Sequence, residues 1–187
     1  WIHVGEPGYG VALSNGSTYG HDVSRSVRPG GSGAPEGTTT TVRLSLLRAP
    51  KSPDPFTDQG HHELTMTIRP GASIADAVEE GYRTNLVPRV VLGARPVEPL
   101  FTVSNAALVI EAVKLAEDGS GDVVVRLYES LGERSIGLVA ANFPVKSVEV
   151  TDLLESPGEP PAGIVLGAES VELTLRPFQL VTLRFQR

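Results

Sequence analysis

Apolar and polar residues alternate with period two in several stretches of the chain. Val123, Val125 and Leu127 interleave with Asp122, Val124 and Arg126. Val171, Leu173 and Leu175 interleave with Glu172, Thr174 and Arg176, and Val181, Leu183 and Phe185 with Thr182 and Arg184. Leu64, Met66 and Ile68 alternate in the same way with Thr65 and Thr67. Such a period throws successive side chains to opposite faces, so it predicts strands with one packed face and one wet face. Two sheets of that kind, apolar face to apolar face, make a sandwich. One stretch keeps a helical period instead. Ile74, Val78 and Tyr82 share a face, Ser73 is placed to cap the N-terminus with Asp76 three residues on, and Pro88 bars continuation. The expected fold is therefore all-β, two β-sandwich units with one short helix near 73–86.

The punctuation agrees. Glu117-Asp118-Gly119-Ser120-Gly121 reads as a hairpin loop between strands over 106–116 and 122–129, since Asp-Gly supplies the positive φ of tight hairpins. Pro177 cannot donate a ladder hydrogen bond and marks a turn, bulge or edge between the last two runs. Residues 28–40 and 155–163 are rich in Gly and Pro. The first stretch has too little apolar area to offset its ordering entropy and is expected to be mobile. A boundary over Gly93–Pro99 would separate a unit at 1–95 from one at 96–187.

Composition narrows the function. The net charge is −6 and no Lys/Arg cluster stands out, which argues against nucleic acid as a partner. There is no cysteine, so disulfides and thiolate metal sites are excluded, and the chain suits a cytoplasmic setting. No apolar run approaches the length of a membrane span. The chain opens on Trp1-Ile2-His3-Val4, without Met and without the basic and apolar regions of a signal peptide. It is expected to be a piece of a longer polypeptide.

Candidate chemistry is thin. His3, His21, His61 and His62 are the only histidines. His21-Asp22 with Asp58 and His61-His62 could donate to zinc if the fold gathered them, but the spacing does not select such a site, and surface or hydrogen-bonded histidines fit as well. Adjacent residues on a strand point to opposite faces, so His61 and His62 could not both serve one centre. Glycosidases use two carboxyl groups across the scissile bond, and nothing selects a pair here. Asp54, Asp58 and Glu63 are near one another, and a solvated loop explains them equally. No nucleophile elbow or HExxH motif is present. Gly30-Gly31-Ser32-Gly33 lacks the preceding strand and following helix of a phosphate-binding loop.

Several strings, in order, resemble the C-terminal part of the glycoside hydrolase family 38 α-mannosidases of the cytosolic and bacterial branch. Gly5-Glu6-Pro7-Gly8-Tyr9-Gly10-Val11-Ala12-Leu13, with Asn15 and Tyr19-Gly20, is similar to one family segment. Arg43-Leu44-Ser45-Leu46-Leu47-Arg48-Ala49-Pro50 is similar to a second. Pro53-Asp54-Pro55, Asp58-Gln59-Gly60 and His62-Glu63 resemble a third. Glu111 to Lys114, Glu117-Asp118-Gly119 and Val125 to Glu129 resemble a fourth. Gly16 and Leu64 depart from the family pattern, and 28–40 reads as an insertion.

The resemblance implies a retaining, zinc-dependent exo-α-mannosidase. Its Asp nucleophile and zinc ligands would lie in an N-terminal catalytic domain of the same polypeptide, with no catalytic residue, metal ligand or cofactor in this chain. It implies that 1–95 is part of a large central β-sandwich and 96–187 a small terminal one. Arg48 matches an Arg that family members project towards the substrate, and its fork of donors suits sugar hydroxyls. The alternative for Arg48 is an ion pair with Asp54 or Asp58. Asp58, Gln59 and His62 form the next candidate substrate-binding cluster, and Tyr19 is the last.

Three roles follow: an accessory region shaping the rim of a mannose-glycan pocket, an independent carbohydrate-binding module, or a structural contact. Sparse aromatics weigh against the second. An apolar patch around Trp1, Tyr9 and Val11 is the expected contact with the catalytic domain, and through it the chain could form a homo-oligomer.

Overall fold

The alternating segments become antiparallel strands, and these fall into two units, Trp1–Val87 and Pro88–Arg187. The structure is a computed structural model and describes residues 1–30, 36–93 and 95–187. Among the described residues, four antiparallel sheets and one short helix make an all-β protein.

In the first unit, β1 (Ile2–Glu6) and β2 (Tyr9–Asn15) form a hairpin. Its turn needs Gly8, whose φ of +86° an L side chain rarely adopts. β3 (His21–Arg28) and β4 (Gly37–Leu44) pair with each other and, among the described residues, with no other strand. β5 (Met66–Pro70) joins the free side of β2, giving the order β1-β2-β5. Helix α1 (Ile74–Asn85) then crosses one face of that sheet, chiefly over β2. Ser73 caps it as expected: its Oγ accepts from the Asp76 backbone N–H at 3.2 Å, and the Asp76 carboxylate accepts from the Ser73 N–H at 2.8 Å. Hydrogen bonds from Ser73, then the charge of Arg69, hold the Asp76 carboxyl below the usual carboxylate range.

The face that α1 covers is not the apolar one. Residues directly opposite on paired strands share a face, and His3, Ala12 and Arg69 are opposite one another. Gly5, Gly10, Ser14 and Thr67 lie on the same side by alternation. The buried cluster there is only Ala12, Ala72 and Ala77. Polar contacts complete it: His3 Nε2 lies 2.8 Å from the Ala72 carbonyl, and Arg69 reaches Asp76 at 2.6 Å and Glu79 at 3.3 Å. The opposite face carries Ile2, Val4, Tyr9, Val11, Leu13, Met66, Ile68 and Pro70. Ile68 is 68% exposed and Tyr9 55%.

Two expectations are corrected here. Of Leu64, Met66 and Ile68, the first precedes the strand and the others face outward, while Thr67 and Arg69 meet the helix. On α1, Ala77 and Val78 are buried but Ile74 is exposed. The 28–40 stretch is also more regular than a loop at both ends, since Arg28 closes β3 and Gly37 opens β4. Its centre, 31–35, where mobility is expected, lies outside the described residues.

The second unit is a closed sandwich. Its strands are β6 (Phe101–Val103), β7 (Leu108–Leu115), β8 (Val123–Glu129), β9 (Ser135–Ala141), β10 (Ser147–Thr151), β11 (Ile164–Leu166), β12 (Ser170–Leu175) and β13 (Leu180–Gln186). One sheet runs β10-β13-β8-β7, the other β11-β12-β9-β6. The three alternating runs from this half supply the core as read: Val123, Val125, Leu127, Val171, Leu173, Leu175, Val181, Leu183 and Phe185 are all buried together. Phe101, Phe143 and Phe185 meet edge to face within it. Pro177 stands at the turn where the chain passes from one sheet to the other.

Three polar devices hold the loops of this unit. Glu129 is fully buried. Its carboxylate accepts from the backbone N–H of Leu131 and Gly132 at 2.9 Å and of Phe178 at 3.0 Å. Burial pushes that carboxyl up, but the backbone donors outweigh it and hold it below the normal range. The expected 117–121 hairpin loop is clamped by Arg184, which reaches Asp118 at 2.6 Å and Asp122 at 2.7 Å. Ser120 and Arg184 bring the Asp118 carboxyl down to about 2. The 155–163 loop is tethered by Glu155, which accepts from Lys114 at 2.6 Å and from the Glu117 N–H at 2.8 Å.

Candidate functional site

The segment after β4 folds into a loop closed by its own polar groups. The Asp58 carboxylate accepts from the Ala49 N–H at 2.9 Å, which ties the two ends of the loop. Both residues take positive φ, 41° at Ala49 and 59° at Asp58. Asp tolerates that region better than Ala, because its short polar side chain can bond locally. Asp54 begins the inner turn by accepting from the Phe56 N–H at 2.9 Å. Thr57 and Gln59 continue it through bonds to the Asp54 and Phe56 carbonyls. His62 Nε2 lies 2.9 Å from the Asp58 carbonyl and closes the far side.

The candidate residues therefore divide by what they have left to offer. Asp58, Gln59 and His62 spend polar groups on the loop: Gln59 Nε2 donates to the Pro55 carbonyl at 3.2 Å. They are exposed, and their first task is to hold the loop's shape. Arg48 sits one residue before the Asp58-anchored Ala49 and is exposed. Among the described residues it makes no ion pair with Asp54, Asp58 or any other carboxylate, so the ion-paired alternative does not hold. Tyr19 is 93% exposed, in the connection from β2 to β3. The Ser45 N–H donates to the Gly20 carbonyl at 2.8 Å, continuing the β3–β4 pairing beyond His21 and Leu44. Tyr19 and Arg48 thus leave from the same end of that hairpin.

Phe56 was not singled out from the sequence. It is 71% exposed at the turn that Asp54 starts. The available signal was a lone aromatic inside a Pro-Asp-Pro-Phe string, which turn chemistry alone would display outward.

The metal alternative finds no donor set. His3 is on β1, His21 begins β3, His61 is near Glu63 at 3.8 Å, and Asp22 pairs with Arg43. Among the described residues no three His, Asp or Glu side chains gather as a metal site. The described residues do not fit a zinc ion. No described helix is long and apolar enough to cross a membrane.

Two sequence profiles match the two units. Residues 1–56 match the glycosyl hydrolases family 38 C-terminal domain, and residues 107–183 match the glycosyl hydrolases family 38 C-terminal beta sandwich domain. With the β architecture, they define the class: the chain belongs to glycosyl hydrolase family 38 and is part of its C-terminal β region. Its curated relatives are named as α-mannosidases. Alpha-mannosidase 2C1 of Homo sapiens is 35% identical over 193 residues, covering 98% of this chain and 17% of the relative. Alpha-mannosidase G of Dictyostelium discoideum is 30% identical, covering 99% and 17%. An α-mannosidase of Saccharomyces cerevisiae is 31% identical over 61% of the chain. The chain spans less than a fifth of the length of these relatives.

Proposed function

We propose that this chain is the C-terminal β region of an enzyme that hydrolyses terminal α-linked mannose in glycans in the cytoplasm. The observation that carries this is the end-to-end similarity to proteins named α-mannosidases, with a family 38 match in each unit. The retaining chemistry, the attacking carboxylate and the zinc ion belong, in this reading, to a catalytic domain elsewhere in the same polypeptide. The chain supports that domain and supplies part of the pocket rim.

Arg48 is the residue proposed to reach the sugar. Among the described residues it has no competing partner, and the strap beside it is fixed by Asp58. A guanidinium presents donors in a rigid fork that suits vicinal hydroxyls. Asp58, Gln59 and His62 act on substrate mainly by holding this loop, and Tyr19 is proposed to flank the rim from the β2–β3 connection. A stand-alone glycan-binding module has less support, because the exposed rings Tyr9, Tyr19, Phe56 and Phe178 are spread over separate strands and loops rather than gathered on one platform.

The test is hydrolysis of a chromogenic α-mannoside with added zinc, by the full-length polypeptide and by the 187-residue chain. Turnover is expected from the former alone. Arg48→Ala in the full-length enzyme should lower kcat/KM by about 10- to 100-fold, the worth of a hydrogen bond from a charged group. Turnover by the 187-residue chain, abolished by a point change within it, would defeat the reading.

A further inference from the structure

We propose that the outer face of the second unit carries an anion site, in which Arg134 and Arg176 receive the phosphate group of a small molecule. The inference goes beyond the proposed function and uses none of the residues proposed to reach the sugar.

The site starts from the ladder between β12 and β9. Its last rung sets Leu175 opposite Ser135, and both are buried. One position further on come Arg176 and Arg134. Alternation sends them to the outer face, with Thr174 and Ile136, the latter 61% exposed. Like charges on facing positions of neighbouring strands repel. Elsewhere in this unit Lys114 and Arg184 each meet at least two carboxylates. Among the described residues Arg134 and Arg176 meet none. Glu129 is committed to loop N–H groups. Glu172 shares the outer face but stands four residues from Arg176, about 13 Å along an extended strand. The pair therefore holds two positive charges that the chain itself leaves uncompensated.

Both guanidiniums line one cleft, with a volume of about 380 Å³. Each polar side chain lining it can donate a hydrogen bond, and none is acidic: the others are Thr174 and Gln179. The Arg176 backbone N–H and its Nε both donate to the Gln179 Oε1, at 3.0 and 3.4 Å. That fixes one edge of the guanidinium. Among the described residues it leaves the two Nη groups of Arg176 and the Nε2 of Gln179 to a ligand. Gly163 stands beside Thr174, whose N–H donates to the Gly163 carbonyl at 2.7 Å. Its φ is +91°, and a Cβ there would come within 2.8 Å of the Thr174 carbonyl oxygen. A side chain would not fit, so that wall of the cleft stays low.

The donors select the ligand. A phosphate dianion offers acceptors to two planar forks at once and neutralises both charges. A neutral sugar would leave the two charges facing each other. The cleft has the size of a small-molecule pocket, so the phosphate can be free or the end of an ester.

Titration of the ¹⁵N-labelled 187-residue chain with inorganic phosphate, and separately with glucose 6-phosphate, tests this. It is done at low salt, because exposed charges are screened, and above about pH 7, where phosphate is largely dianionic. Amide signals of Arg134, Gly163, Arg176 and Gln179 should shift with a Kd on the order of 1 mM. Arg134→Gln and Arg176→Gln should each weaken binding about 10- to 100-fold. Arg89→Gln removes the same charge at a residue that does not line the cleft, and should leave binding unchanged. Tighter binding of the ester than of free phosphate would support the site with an ester as its ligand, and the reverse order would support it with the free anion. No shift at these amides with either probe, well above that concentration, would overturn the inference. So would shifts that survive both cleft variants, an equal loss in Arg89→Gln, or binding by the 187-residue chain that the full-length polypeptide lacks, which would mark a covered contact.

Discussion

The two units use the same alternation to opposite ends. In Pro88–Arg187 the apolar sides of two four-stranded sheets meet, and fifteen buried side chains form one core. In Trp1–Val87 the covered face has a buried cluster of only three alanines, with Val78 buried beside them on α1, and the sheet's larger apolar side chains look outward. Burial of apolar area is the main favourable term in folding. The second unit thus carries its own stability, while the first has the pattern of a layer whose opposing layer is incomplete. A sequence period reports which residues want burial. It does not report whether their partners are in the same chain.

The sharpest contrast comes from deleting one large side chain in each unit. Phe185→Ala should destabilise the second unit by about 3–5 kcal/mol in denaturant unfolding, the usual cost of a truncated core aromatic. Ile68→Ala in the 187-residue chain should cost under about 0.5 kcal/mol, as at an exposed site. The comparison fails if the two costs are similar.

A smaller effect tests the buried carboxylate. Glu129→Gln should cost about 2–3 kcal/mol, since it weakens charge-assisted bonds to three loop donors. Acid should act on the same group. The folded carboxyl lies below the normal range, so its contribution is complete above the unfolded value of about 4.3 and is lost as pH falls through the depressed folded value. Melting of the second unit should therefore fall from about pH 4 downward, and less so in Glu129→Gln.

In the first unit, Ser73→Ala should remove about 1 kcal/mol from α1, read as faster amide exchange over 74–85. Asp58→Ala should lower kcat/KM of the full-length enzyme by roughly 10-fold with little change in melting temperature. Asp58→Asn should recover most of that loss, because it keeps an acceptor oxygen for Ala49 and tolerates positive φ. Equal defects in both variants would show that the loop anchor does not govern the rim.

Much of this was legible in advance where local chemistry decides. The Ser73–Asp76 cap, the 117–121 turn and the three alternating runs of the second half are set by residues close in sequence. Other features depend on distant ones. Ile68 and Thr67 exchange their expected sides because the α1 side is closed by the small Ala12, Ala72 and Ala77 and by polar contacts from Thr67 to Thr84 and from Arg69 to Asp76. Pro177 was readable as a break, but not as the passage between two sheets. At the candidate site, the Arg48 string and the Asp58–His62 string were legible. That Asp58 bonds Ala49, leaving Arg48 without an ion pair, needed coordinates. Phe56 went unnoticed because an aromatic residue defaults to the core in a reading by pattern.

The most direct test is to express 88–187 and 1–87 separately and compare amide dispersion and thermal unfolding. Residues 88–187 should give a dispersed spectrum and one cooperative transition, and 1–87 a collapsed spectrum with no sharp transition. Cooperative unfolding of 1–87 alone, with stability matching that of 88–187, would contradict the account.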